Sequence, residues 1–243
     1  MRDDGQDLGV LELPLARPGA ASGAVIIPFP TRAPLPPRQP AARIAIVDPR
    51  DIDLVLQRVT RELDLTSAAH APTQLAAHGA LAGFAAQQTL IREGGSSWAQ
   101  PKRAEHLDRL LLSESHRDGS LWFRLREAAA EVGAQHLPDP NKLLQATLRC
   151  VGTTQFGQLT LPLEYKLSQQ PQASLTRLWP VVASDVGGGA PELFAAVCAR
   201  RVVIDHRAVP PHVALRIVMQ AALAMALIEP RIIPGSIVKT TNG

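Results

Sequence analysis

The sequence predicts a mainly α-helical fold: a single globular domain of about seven to eight helices around a buried C-terminal helix, with at most a few short strands. Three observations support this prediction. Aromatic residues make up only 4% of the 243 residues although hydrophobic residues make up 46%, so alanine and leucine fill the core, which suits helices better than sheets. Apolar residues recur at helical spacing along much of the chain. The segment from Ile217 to Ile228 has Gln220 as its only polar side chain.

This apolar segment is predicted to be a helix that is buried in protein. Pro210-Pro211 fits a helix start and Pro230 fits a stop, because proline is tolerated in the first turn of a helix but not in its interior. A helix that is apolar on nearly every face must be surrounded by protein or lipid. A membrane span needs about 20 apolar residues, and this run is bounded by Arg216 and Glu229. We therefore expect no membrane span.

The first 42 residues are predicted to be a proline-rich arm, extended or disordered, in front of a helical domain that covers residues 43–243. The arm holds eight prolines, which forbid a continuous helix or a central strand. It also holds two apolar islands, Val10 to Leu13 and Val25 to Phe29. A solvated linker does not need apolar side chains, so we expect the arm to dock on the domain or on another subunit. A merely disordered tail is the alternative.

The candidate partner-binding side chains are apolar residues of the second island and one tryptophan. The tryptophan follows Gly94 to Ser97, which is predicted to be a loop, and it could be a lid over the core or a binding anchor. These candidates are Val25, Ile26, Ile27, Phe29 and Trp98.

The helices of the domain follow from periodicity and capping residues. Arg43 to Val47 fits a short strand, and an apolar stripe begins at Ile52. A second helix is predicted over Thr73 to Arg92. Its Gly79 and Gly83 lie four residues apart on one face, and glycine inside a helix costs about 1 kcal/mol relative to alanine. We therefore expect close contact with another backbone there.

Capping signals define the next helices. A third helix is predicted near Ala104 to Leu112. Asp118 or Ser120 begins the fourth, and Asp139 begins the fifth. The short link between the last two predicts that they pack as antiparallel neighbours, and the fifth is expected to bury an apolar stripe that ends at Val151. The remaining predictions are an extended loop or hairpin half at Thr153 to Tyr165 and helices at Ala173 to Ala183, from Pro191, and from Pro210.

The sequence contains no motif typical of a catalytic, metal or cofactor site, and none is predicted. The seven histidines show no zinc-ligand spacing. The best polar candidates are Asp205 and His206, with His212 nearby, because a carboxylate beside an imidazole can hold its tautomer for general base catalysis. The alternative is that Asp205 and His206 form a solvated turn. Cys198 could supply a nucleophile for a Cys–His pair, although we interpret Cys198 and Cys150 as inert buried thiols rather than as a disulfide.

Charge and composition leave three classes of function. The net charge is +3 and the arginines are scattered, which indicates a mixed solvated surface. The sequence therefore favours a non-enzymatic interaction or assembly protein, an adaptor or scaffold whose arm docks on a protein partner or through self-association on a neighbouring subunit. The alternatives are a nucleic-acid-binding regulatory protein that uses those arginines and, less favoured, an enzyme with a site near Asp205 and His206. The chain opens without a charged-then-apolar leader, so we expect the cytoplasm of a bacterial cell.

Overall fold

The computed structural model describes residues 47–65, 70–94, 100–115, 119–159, 161–186 and 190–236. In these ranges the chain is all-helical, which confirms the predicted fold class. Within the described ranges the chain also forms the short 3₁₀ turns Leu163–Tyr165 and Pro230–Ile232, and it contains no strand there. The arm and all of the predicted strand except Val47 lie outside the described residues. The eight helices are α1 (Pro49–Leu63), α2 (Ala71–Gly94), α3 (Gln100–Leu111), α4 (Leu121–Glu131), α5 (Pro140–Cys150), α6 (Pro171–Asp185), α7 (Pro191–Asp205) and α8 (Pro211–Ala226).

Short polar side chains begin three of these helices. The carboxylate of Asp48 accepts a hydrogen bond from the backbone N–H of Arg50 at 2.9 Å. Ser120 is the residue that caps α4, where its hydroxyl accepts from the N–H of Phe123 at 3.1 Å. Asp139 caps α5 in the same way. Each cap satisfies an N–H group that has no partner inside its own helix.

Two helices occupy the centre of the molecule. The predicted central helix α8 is buried along most of its length, with Pro211, His212, Arg216 and Gln220 as its more accessible residues. Helix α2 is buried to the same degree, since every residue from Ala71 to Gln88 is buried. No charged side chain occurs between Ala71 and Ile91, so α2 can be enclosed without the cost of burying a charge.

Helices α2 and α8 approach each other backbone to backbone, as the two glycines predicted. A Cβ atom on Gly79 would lie 3.0 Å from the Cα of Val218 and closer still to its carbonyl oxygen. One turn further, a Cβ atom on Gly83 would lie 2.6 Å from the carbonyl carbon of Ala222. Both contacts leave no space for a methyl group, so glycine is required at both positions.

The other helices pack around this pair. Helix α7 lies on α2, α4 and α1, and α6 lies on α2 and α1. The predicted pairing of α4 with α5 is wrong, because α5 packs mainly on α8. The apolar stripe predicted for α5 also ends earlier than expected: Val151 is 43% exposed, because the chain leaves the helix at this residue.

Gln87 of α2 caps the C-terminal end of α8. Its amide nitrogen Nε2 donates to the carbonyl oxygens of Ala226 at 2.9 Å and Ile228 at 2.6 Å. The last carbonyl groups of a helix have no partner within it. A buried glutamine from the neighbouring helix therefore satisfies groups that water cannot reach.

None of the helices in the described ranges is long and apolar enough to cross a membrane.

Candidate functional site

A buried ion pair joins two residues of α7. The guanidinium Nε of Arg201 donates to Oδ2 of Asp205 at 2.6 Å, and Nη2 of Arg201 donates to Oδ1. The side chains are 13% and 6% exposed. Burial raises the pKa of Asp205, and the hydrogen bonds and charge of Arg201 oppose that rise. Arg201 therefore favours the carboxylate form of Asp205 against the effect of burial.

His78 of α2 lies close enough to Arg201 for the positive charge of the guanidinium to act on its imidazole. Its ring nitrogen Nδ1 donates to the carbonyl oxygen of Gln74 at 2.7 Å, which leaves Nε2 as the unprotonated nitrogen. This Nε2 is buried and has no hydrogen-bond partner among the described residues. Burial first, and then the positive charge of Arg201, lower the pKa of His78 to about 3. The imidazole is therefore neutral at physiological pH.

Gln74, one turn before His78 on α2, is also polar and buried. Its Nε2 donates to the carbonyl oxygen of Leu65, so it ties the chain after α1 to the first turns of α2. Its Oε1 is buried without a partner among the described residues. We refer to Gln74, His78, Arg201 and Asp205 as the α2–α7 polar cluster. Their hydrogen bonds lie within α7, within α2 or between α2 and Leu65, so the link between α2 and α7 here is the charge of Arg201 acting on His78.

The polar candidates predicted from sequence are not joined to one another. Asp205 binds Arg201, while Nδ1 of His206 binds the carbonyl oxygen of Val203 at 2.7 Å. His212 is exposed in the first turn of α8. The alternative of a solvated turn does not hold for Asp205, which ends α7 as a buried residue, and His206 is half-buried. The carboxylate is held by an arginine one turn earlier on the same helix, and this is why it is neither solvated nor bound to His206.

The two cysteines are free thiols. Cys198 is fully buried, and burial raises the pKa of its thiol. Since the thiolate is the nucleophilic form, Cys198 is inert in this environment, as the sequence predicted. Cys150 is the last residue of α5 and is only partly buried, so the prediction of a buried thiol is wrong for this residue.

The partner-binding candidates Val25, Ile26, Ile27, Phe29 and Trp98 lie outside the described residues. Among the residues that the structure does describe, no group of three or more His, Cys, Asp or Glu side chains is placed to hold a metal ion.

The described surface offers two features suited to binding. Six large apolar side chains are exposed, and Leu163 is the most exposed of them at 90%; the others are Leu54, Leu137, Val151, Ile204 and Ile232. A shallow depression of about 490 Å³ lies along α1 and is lined by Leu56, Gln57, Thr60, Arg61 and Asp64.

The described residues form an all-α fold with a largely apolar helix pair at its centre and a buried polar cluster beside it. Comparison with protein-family models, curated protein sequences and solved structures finds no match to this chain.

Proposed function

We propose that this protein is a non-enzymatic interaction or assembly protein, an adaptor or scaffold whose N-terminal arm docks on a protein partner or on a neighbouring subunit. Two of the groups best suited to chemistry, Cys198 and His78, are enclosed. The carboxylate of Asp205 is bound by Arg201. Such groups stabilise a fold but do not reach a substrate. The proposal includes a location in the cytoplasm.

The exposure of Leu163 is the observation that carries this proposal. It lies in the connection between α5 and α6, on the 3₁₀ turn Leu163–Tyr165. The connection runs from residue 151 to residue 170, and connections longer than about 15 residues with little regular structure are often functional. Several apolar residues of the connection pack against the core, among them Phe156, Leu159, Leu161 and Tyr165.

A polar contact pins the end of the same connection to the core. The backbone N–H of Ser168 donates to the hydroxyl of Thr73 at 2.9 Å, and the two hydroxyl groups lie 3.1 Å apart. Leu163 is therefore presented on a supported turn. A supported side chain loses less conformational entropy on binding than one on a free loop, so an exposed leucine here suits contact with a partner.

Two changes test the proposal: deletion of residues 1–40, and Leu163→Ser in the full chain. Each is expected to lower self-association, measured by sedimentation, or to remove proteins that co-purify with the chain. Leu137→Ser is the matched control, because Leu137 is exposed to 38% elsewhere on the surface. If neither the deletion nor Leu163→Ser changes oligomeric state or partners, the proposal is wrong.

A nucleic-acid-binding regulatory protein is the second candidate, and exposed arginines at the junction of α7 and α8 favour it. Arg200, Arg207 and Arg216 are exposed. Binding to phosphates would fall steeply as salt rises, because each neutralised phosphate releases a counterion. Titration with a labelled DNA or RNA duplex at two salt concentrations tests it; absent or salt-insensitive binding excludes it.

A further inference from the structure

Exposed arginines lie on both sides of the junction between α7 and α8. Arg200, Ile204 and Arg207 are exposed at successive turns of α7 and the turn after it, and Ile204 is 46% exposed. On α8, His212 and Arg216 are exposed one turn apart. Residues at this spacing lie on one side of their own helix, and the short connection after α7 joins the two rows. We call these five residues the α7–α8 arginine surface.

No salt bridge among the described residues balances the positive charge of Arg200, Arg207 or Arg216. Asp205 is the only acidic residue from Leu193 to Ile228, and it is buried against Arg201. Like charges that are brought together in this way repel each other unless an anion binds them.

The chain itself contains a segment of matching charge. Residues 1–13 carry Asp3, Asp4, Asp7 and Glu12 against the single base Arg2, whereas residues 14–46 carry four arginines and no acid. The acidic part is also the part with leucine and valine at residues 8–13. We call residues 3–13 the acidic tip. Negative charge and apolar side chains are thus combined in one segment, as arginines and an exposed isoleucine are combined on the α7–α8 surface.

We propose that the acidic tip docks on the α7–α8 arginine surface, with its carboxylates on the arginines and its apolar side chains over Ile204. This inference rests on the proposed function, since it names the surface on which the arm docks. The chain between the acidic tip and α1 is long enough for this docking. About 36 residues separate the tip from α1, and they span up to ~120 Å when extended. A body of this size is only about 40 Å across.

The experiment traps the contact as a disulfide in the full chain. Cys150→Ser removes the partly exposed native thiol, while Cys198 is buried and unreactive. Asp7→Cys is combined with Ile204→Cys for the proposed contact and with Gln145→Cys, an exposed position on α5, for the control. After mild oxidation, the Ile204 pair is expected to cross-link about tenfold more than the control pair. A monomeric product means docking within one chain, and a dimeric product means docking on a second copy.

Charge reversal supplies the second part of the test. Arg207→Glu with Arg216→Glu is expected to reduce the cross-link to the control level, as is salt of about 1 M, where the screening length is only ~3 Å. Lys142→Glu with Arg149→Glu, two exposed bases on α5, is expected to leave it unchanged.

Equal cross-linking at Ile204 and Gln145 would overturn the inference. If deletion of residues 1–40 still changed association in that case, the proposed function would stand and only this docking surface would be wrong. A surface that bound a nucleic acid duplex in a salt-dependent manner, with no specific cross-link to the tip, would also overturn it in favour of the second candidate function.

Discussion

Gly83 of α2 and Ala222 of α8 meet so closely that a Cβ atom on the glycine would lie 2.6 Å from the carbonyl carbon of the alanine. Because the obstacle is backbone, no side chain can move aside to make room. Gly83→Ala must separate the two central helices and is expected to lower the free energy of unfolding by about 3 kcal/mol, at the upper end of the cost of overpacking a core. Urea denaturation followed by circular dichroism measures this change.

Gly133→Ala is the matched control for that substitution. Gly133 lies after α4 with φ of 77°, and a Cβ atom there would meet nothing within 4 Å. Its cost comes only from the left-handed backbone and is about 1 kcal/mol. If Gly83→Ala proved no more harmful than Gly133→Ala, the close approach of α2 and α8 would be wrong.

Protonation of His78 is expected to make the protein sensitive to acid. Its pKa is about 3 in the folded state and about 6.5 in the unfolded state. Between these values the unfolded chain binds a proton that the folded chain does not, so stability rises with pH. The contribution is fully present above about pH 6.5 and is lost as pH falls toward 3, with a slope approaching 1.4 kcal/mol per pH unit. Denaturation at several pH values measures the slope.

Substitution of His78 isolates this effect from that of other groups. His78→Gln is expected to flatten the stability profile between pH 4 and 6.5, whatever its effect at neutral pH. Gln145→Leu, an exposed change that removes no titratable group, is expected to leave the shape of the profile unchanged. A profile that is as steep in His78→Gln as in the unaltered protein would contradict the burial of a neutral imidazole.

Removal of Arg201 alone should be worse than removal of the whole ion pair. Arg201→Met leaves Asp205 buried without its counter-charge and is expected to cost about 3 kcal/mol. The double substitution Arg201→Met with Asp205→Leu removes both charges and is expected to recover most of that loss. Thermal denaturation of the two single variants and the double variant gives the coupling. Strictly additive effects would mean that the two side chains do not interact.

Gln87 is expected to contribute to stability through the end of α8. Gln87→Leu keeps a side chain of similar size but leaves the carbonyl groups of Ala226 and Ile228 without their donor. Buried groups without a partner cost about 1–3 kcal/mol, and a loss of about 2 kcal/mol is expected. Gln145→Leu on the exposed side of α5 should change stability by less than about 0.5 kcal/mol. Equal effects of the two substitutions would show that the cap is not important.

Local sequence signals predicted much of the fold. The uncharged run in α8 indicated a buried helix, the capping residues placed the start of α4 and α5, and Gly79 with Gly83 indicated a backbone contact. The burial of α2 along most of its length was not predicted, since polar residues such as Gln74 and His78 do not by themselves indicate a buried helix. The absence of any charged side chain from residue 71 to residue 91 was the signal that could have predicted it.

The polar cluster could be predicted only in part. Arg201 and Asp205 are four residues apart on one helix, so their pairing follows from helical spacing. Their neighbour His78 lies on α2, and its low pKa depends on how α2 packs against α7. Such a contact depends on tertiary packing, so it cannot be predicted from the local sequence. The same reason explains the wrong pairing of α4 with α5, since a short link limits distance but does not decide which helix offers the better apolar surface.

Gln87 and Ala226, which lie against each other at the end of the central helix pair, are 139 residues apart in the chain. A ribosome that adds about 5–20 residues per second therefore completes α2 roughly 7 to 26 s before it completes α8. During synthesis the glycine face of α2 has no native neighbour, and the interior cannot close until the final helix has emerged. Premature termination before Ala226 would release a chain with that face uncovered, which makes such a product a substrate for chaperones and proteases rather than a shorter working protein.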